Sequence, residues 1–85
     1  MWTKTIKAKF KKNNCDVQIW FDGDYEKDMD KSLVKIQSML NEYILYQEIV
    51  FDTRDEAYDF IKYYPVSMAN SFLIREAYST GAYDN

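Results

Sequence analysis

Asp22, Asp24, Glu26, Asp28 and Asp30 set a carboxylate at every second position, and this run has the clearest capacity for chemistry in the chain. Hard oxygen donors so spaced suit a divalent cation, as in the calcium loop of an EF-hand. The match fails at two positions. The loop needs glycine sixth, whereas Gly23 stands second; it needs a bidentate glutamate twelfth, where the count from Asp22 reaches Leu33. No metal and no other cofactor is expected. The chain has no histidine, which removes every triad or dyad built on an imidazole base and the commonest zinc arrangements. Cys15 lies between Asn14 and Asp16 with no evident base to generate a thiolate, so it is expected to be an ordinary turn residue. These absences argue against an enzyme and for a protein that works by binding.

Two charged surfaces compete for that role. The first 12 residues carry Lys4, Lys7, Lys9, Lys11 and Lys12 and no acid, which leaves −8 on the other 73 once these charges are taken from the net −3. Two faces of opposite sign are expected. The acids gather in Asp16–Asp30 and Glu48–Asp59, where closely spaced carboxylates can mimic nucleic-acid phosphates and occupy a basic groove on another protein. Exposed tyrosine beside carboxylate is well suited to a protein interface. The partner-binding residues expected on this reading are Asp22, Asp24, Tyr25, Glu26, Asp28, Asp30, Asp55, Tyr58 and Asp59. The rival reading assigns Lys4, Lys7, Lys9, Lys11 and Trp20 to a strand that binds nucleic acid, as basic and aromatic residues do in single-strand-binding sheets. A net charge of −3 repels a polyanion and counts against it. A third reading is a homodimer formed through a sheet edge or an outward Trp20.

The elements that must position these groups follow from periodicity. Trp2, Ile6, Ala8 and Phe10 alternate with polar residues, and Val17, Ile19 and Phe21 repeat the pattern, which predicts a half-buried hairpin. With Asn13 and Asn14 at its tip, Phe10 would face Val17, Ala8 would face Ile19, Ile6 would face Phe21 and Lys7 would face Trp20. Met29, Leu33, Ile36, Leu40, Tyr43 and Ile44 recur at spacings of mostly three and four and predict an amphipathic helix with acids at its positive end. Ile49-Val50-Phe51 predicts a strand, and Thr53-Arg54-Asp55-Glu56 a capping box opening a second helix, buried through Ala57, Phe60, Ile61 and Tyr64 and stopped by Pro65. The final segment carries two periods: Phe72, Ile74 and Tyr78 suit a strand, while Val66, Ala69, Leu73 and Ala77 suit a helix. The strand is the favoured reading, with a frayed tail over 79–85.

The expected fold is α+β: one domain over 1–85, with a small antiparallel or mixed sheet of three to four strands and two helices on one face. Aromatics at 18% and a hydrophobic content of 47% supply a core for a chain of this length. One cysteine excludes an intrachain disulfide, and Met1–Lys12 lacks the apolar run of a leader or membrane span, so the cytoplasm is the expected compartment. In size, acidity, tyrosine content and lack of catalytic groups the chain is similar to the compact inhibitors that phages and mobile elements direct against host nucleases or defence systems. That likeness implies a non-catalytic protein that engages a basic surface, and the lack of an apolar run over Met1–Lys12 leads to an expectation of no membrane association.

Overall fold

The computed structural model describes residues 2–82. Thr3–Phe10 forms β1 and Asn13–Tyr25 forms β2, so the period-2 alternation makes the hairpin it predicts. Its register is different. The turn falls at Lys11-Lys12, with Lys11 at φ 56°, and Phe10 pairs with Asn13. Ile6 therefore lies opposite Val17, Ala8 opposite Cys15 and Lys7 opposite Asp16. The displacement is an even number of residues, so each apolar side chain keeps its face. The turn, two residues nearer the start of the chain than expected, draws Asn13 and Asn14 into β2 and places Cys15 in the core. Cys15 is thus a buried core residue, not a turn residue, and burial pushes its thiol up from its usual range.

The first helix expected from the sequence is instead a strand, a turn and the opening of another strand: Asp28–Leu40 is β3 and Tyr43–Phe51 is β4, whose end is the expected strand Ile49-Val50-Phe51. A spacing of four satisfies a period of two as well as one of 3.6, so Ile36 and Leu40 share a face in either element. Here that face is an inward row of Ser32, Val34, Ile36, Ser38 and Leu40, all buried. Met29 and Ile44, members of the helical stripe, are 65% and 61% exposed. The linking turn is Asn41-Glu42, with both φ angles positive (50° and 72°), as a two-residue hairpin of primed type requires. The sheet is one antiparallel meander in the order β1-β2-β3-β4.

Arg54–Tyr63 forms α1 behind the expected cap: the Glu56 amide donates to Thr53 Oγ1 at 3.1 Å, and the Thr53 hydroxyl donates to the Glu56 carboxylate at 3.0 Å. Thr53→Ala should lower stability by about 1 kcal/mol, read as a shift in urea midpoint at constant slope. Ala57, Ile61 and Tyr64 are buried as expected, whereas Phe60 is half-buried against Phe51, with ring centroids 5.1 Å apart. The segment after Pro65 is a helix, α2 (Val66–Thr80), and not the favoured strand. Ala69, Phe72, Leu73 and Ala77 form its inward side, so the helical period decides. Gly81, at φ 84°, closes it by donating its amide to Ala77 O at 3.0 Å. Of the tail expected from residue 79, Ser79 and Thr80 belong to α2 and Ala82 is buried; residues 83–85 lie outside the described part.

The inward rows of all four strands and the buried sides of α1 and α2 join in one core. This is an α+β architecture of two layers, and among the described residues the second face of the sheet carries no helix.

Candidate functional site

β2 is 13 residues long and outruns the eight residues of β1. Among the described residues the β1–β2 ladder ends at Thr3–Trp20, with one further bond from the Phe21 amide to Trp2 O, so the remainder of β2 pairs with β3 and the hairpin projects. Gly23, at φ 89°, sits where the β2–β3 register shifts between Phe21 and Asp24. Such a bulge bends and twists the strand and re-aims the side chains around it. Beyond the break Asp24 pairs with Ser32 and Tyr25 with Asp28, and Glu26-Lys27 forms the turn.

An open hollow results, lined by Asp22, Asp24, Tyr25 and Glu26 from the hairpin, Leu33 and Lys35 from β3, and Glu48 from β4, with Lys27 at its rim. Leu33 points away from the helices yet is only 8% exposed, and it provides an apolar floor. Lys35 is the central cation, 2.9 Å from Asp22 and 3.9 Å from Glu48; its hydrogen bond to Asp22 holds its ammonium above the usual range. Tyr46 donates its phenol proton to Glu48 at 2.6 Å, and partial desolvation followed by that bond raises the phenol. Four carboxylates thus face two ammonium groups in one depression. The surplus negative charge is held in defined positions by its neighbours.

The other acids are distributed around this end. Asp28 accepts the Asp30 amide at 3.2 Å within the start of β3. Arg54, the first residue of α1, lies 3.5 Å from Asp24 and over the Phe21 ring, so it ties the helix layer to the hairpin. Asp55 and Asp59 are exposed on α1, on the helix-bearing side and away from the hollow. Tyr58 has a packing role: its ring stacks on Trp2 at 4.1 Å and meets Phe21 edge-on at 5.1 Å. Of the residues expected to bind a partner, the structure brings Asp22, Asp24, Tyr25 and Glu26 together and places Asp28 and Asp30 on the same hairpin. Asp55 and Asp59 share only the end of the molecule. Lys35, Tyr46 and Glu48 were outside the expected set of binding residues, although Glu48 opens the second acidic stretch and the alternation of Tyr46, Glu48 and Val50 with Leu45, Gln47 and Ile49 signals an outward row.

The lysines do not assemble around Trp20. Lys7 faces Asp16 and pairs with it at 3.3 Å, while Trp20 has Thr3 and Lys35 as cross-strand neighbours. Lys4 turns toward the helices and donates to Lys62 O at 3.1 Å and Tyr64 O at 3.0 Å, neutralising the negative end of α1. Lys9 remains outward on β1, and Lys11 lies in the turn with its ammonium 5.4 Å from the Phe10 centroid. The opposite charges expected on two faces therefore occupy two ends, the β1–β2 turn and the β2–β3 hairpin, in a molecule 40 Å in its longest dimension.

These features define a two-layer α+β protein, a four-strand antiparallel meander covered on one face by two helices. No known protein family, curated protein or solved structure matches the chain. Among the described residues, no helix is long and apolar enough to cross a membrane, and no group of three or more Asp, Glu, Cys or His side chains is placed to hold a metal ion.

Proposed function

We propose that the chain is a non-catalytic binding protein whose acidic hairpin end engages a basic surface on another protein. One observation carries this reading: Asp22, Asp24, Tyr25 and Glu26 converge with Glu48 on a single open hollow of the projecting hairpin. Carboxylates already oriented by Lys35, Arg54 and Tyr46 lose little freedom on binding, and Tyr25 adds a half-buried ring beside them. The field of this end steers a basic partner over about 10 Å at moderate salt. A surface that normally holds nucleic-acid phosphates is such a partner, and its occupation would make the chain an inhibitor of a nuclease or defence protein. The cytoplasm, where a single thiol stays reduced, suits this role.

The test uses the partner captured from the native host with the tagged chain. Glu26, Asp28 and Asp30 are reversed to lysine, with Asp22 and Asp24 left in place because they hold Lys35 and Arg54. Affinity should fall by about tenfold or more and become less sensitive to salt, whereas Lys7, Lys9 and Lys11 replaced by serine should change little. Saturable oligonucleotide binding at physiological salt, abolished by the lysine replacements, would overturn the reading in favour of the lysine strand.

A further inference from the structure

The two edges of the sheet are treated differently. β1 carries Lys4, Lys7 and Lys9 among its eight residues. The Lys9 amide is taken by Asn70 Oδ1 of α2 at 3.1 Å, and Lys4 is anchored on the end of α1. Lysines and covering elements are the usual means of keeping an edge strand from pairing with another chain. β4 carries no lysine, and the hydrogen bond that reaches it from α2, donated by Arg75 to Gln47 Oε1 at 2.9 Å, engages a side chain and not its backbone. Its nine residues, Tyr43–Phe51, include one charged side chain, Glu48, in a chain that is 29% charged. Among the described residues it makes no backbone–backbone hydrogen bond beyond its ladder with β3. Tyr43, Ile44, Tyr46 and Val50 along it are all exposed.

We propose that β4 is a homodimer edge, pairing antiparallel with β4 of a second copy about a two-fold axis at Gln47 and joining two meanders into one eight-stranded sheet. The case for a second copy lies in the strand itself, which is chemically palindromic about Gln47. In that register Ile44 faces the partner's Val50, Leu45 faces the partner's Ile49, Tyr43 faces the partner's Phe51, and Tyr46 faces the partner's Glu48. Aromatic meets aromatic, aliphatic meets aliphatic, and a phenol that already donates to Glu48 within its own strand lies across from that carboxylate in the other. A two-fold contact demands such self-complementarity. Neighbouring registers lack it: centring on Glu48 sets the two carboxylates against each other, and centring on Tyr46 sets Glu48 against Ile44. A centre on any single residue also pairs residues of equal parity, which keeps both helix layers on one side of the joined sheet. Glu42 and Asp52 lie beyond the paired segment, and Asp52 is already held by Lys31.

The contact shares Glu48 with the acidic hollow but uses none of the hairpin residues that line it, and the antiparallel pairing directs the two hollows to opposite ends of the joined sheet. Sedimentation equilibrium of the intact protein at about 100 µM, well above the dissociation constant of a standard interface, should give twice the 10.2 kDa chain mass. Ile44→Lys with Val50→Lys, which opposes lysine to lysine across the axis, should give a monomer whose circular dichroism and urea midpoint stay close to wild type. Thr5→Lys on β1 should remain dimeric. A monomeric wild-type protein would overturn the proposal, including one that captures an extended peptide on β4, and so would a dimer that survives the double lysine variant. Loss of partner affinity on reversing the hairpin acids, with the dimer mass unchanged, would separate this contact from the hollow.

Discussion

Phe72→Ala should lower the unfolding free energy by about 3–5 kcal/mol. Phe72 is 1% exposed, at the centre of the inward side of α2 among the largest fully buried side chains. Truncation removes a whole ring from contact with the sheet and leaves a cavity that rigid strands close only in part. A domain of 85 residues has a total stability on the order of 4–13 kcal/mol, so this change takes a large share of it. Urea denaturation followed by circular dichroism should show a much lower midpoint with little change in slope. A midpoint close to wild type would mean that α2 does not pack as described.

A second pair of substitutions tests the identity of the third element. Leu40→Ala should cost about 2–5 kcal/mol, because Leu40 is 2% exposed on the inward row of β3. Met29→Ala should lie within about 0.5 kcal/mol of wild type, since its side chain is largely in water. A helix burying Met29, Leu33, Ile36, Leu40 and Ile44 on one stripe would make both changes severe. Comparable losses at the two positions would therefore favour the helix and contradict β3.

The contrast between these residues shows what could be read in advance. Alternation over Ile6–Phe10 and Val17–Phe21 identified two strands, and Thr53 with Glu56 marked the start of α1, because in both cases local hydrogen bonding and side-chain period agree. The α+β class and the helices on one face were legible for the same reason. The register of the first hairpin was not. It depends on which two residues turn, and Lys11 adopts a positive φ that asparagine accepts with less strain. The segment from Met29 to Ile44 misled because spacings of four fit either period, and only pairing with β2 and β4, which is non-local, decides between them. α2 was the converse case, with both periods written in one segment and the docking of Ala69, Leu73 and Ala77 choosing the helix. In the site, the acids of the hairpin were visible as a run. Lys35 was hidden by the helical reading of its segment, whereas Tyr46 and Glu48 lay beyond that helix and reach the hollow only because β4 pairs with β3.

The fastening of β1 to α2 has a consequence for cooperativity. Each strand joins the next through a two-residue turn, so the sheet could in principle unzip one ribbon at a time from its first strand. The Lys9 amide is bound to Asn70, 61 residues further along, and Phe10 meets Tyr78 with centroids 6.4 Å apart. Peeling away the first strand therefore strips contacts from the last helix, and lifting that helix uncovers the first strand. The described chain has no terminal element that can open alone, and an architecture assembled from neighbours in sequence is made to melt as one unit.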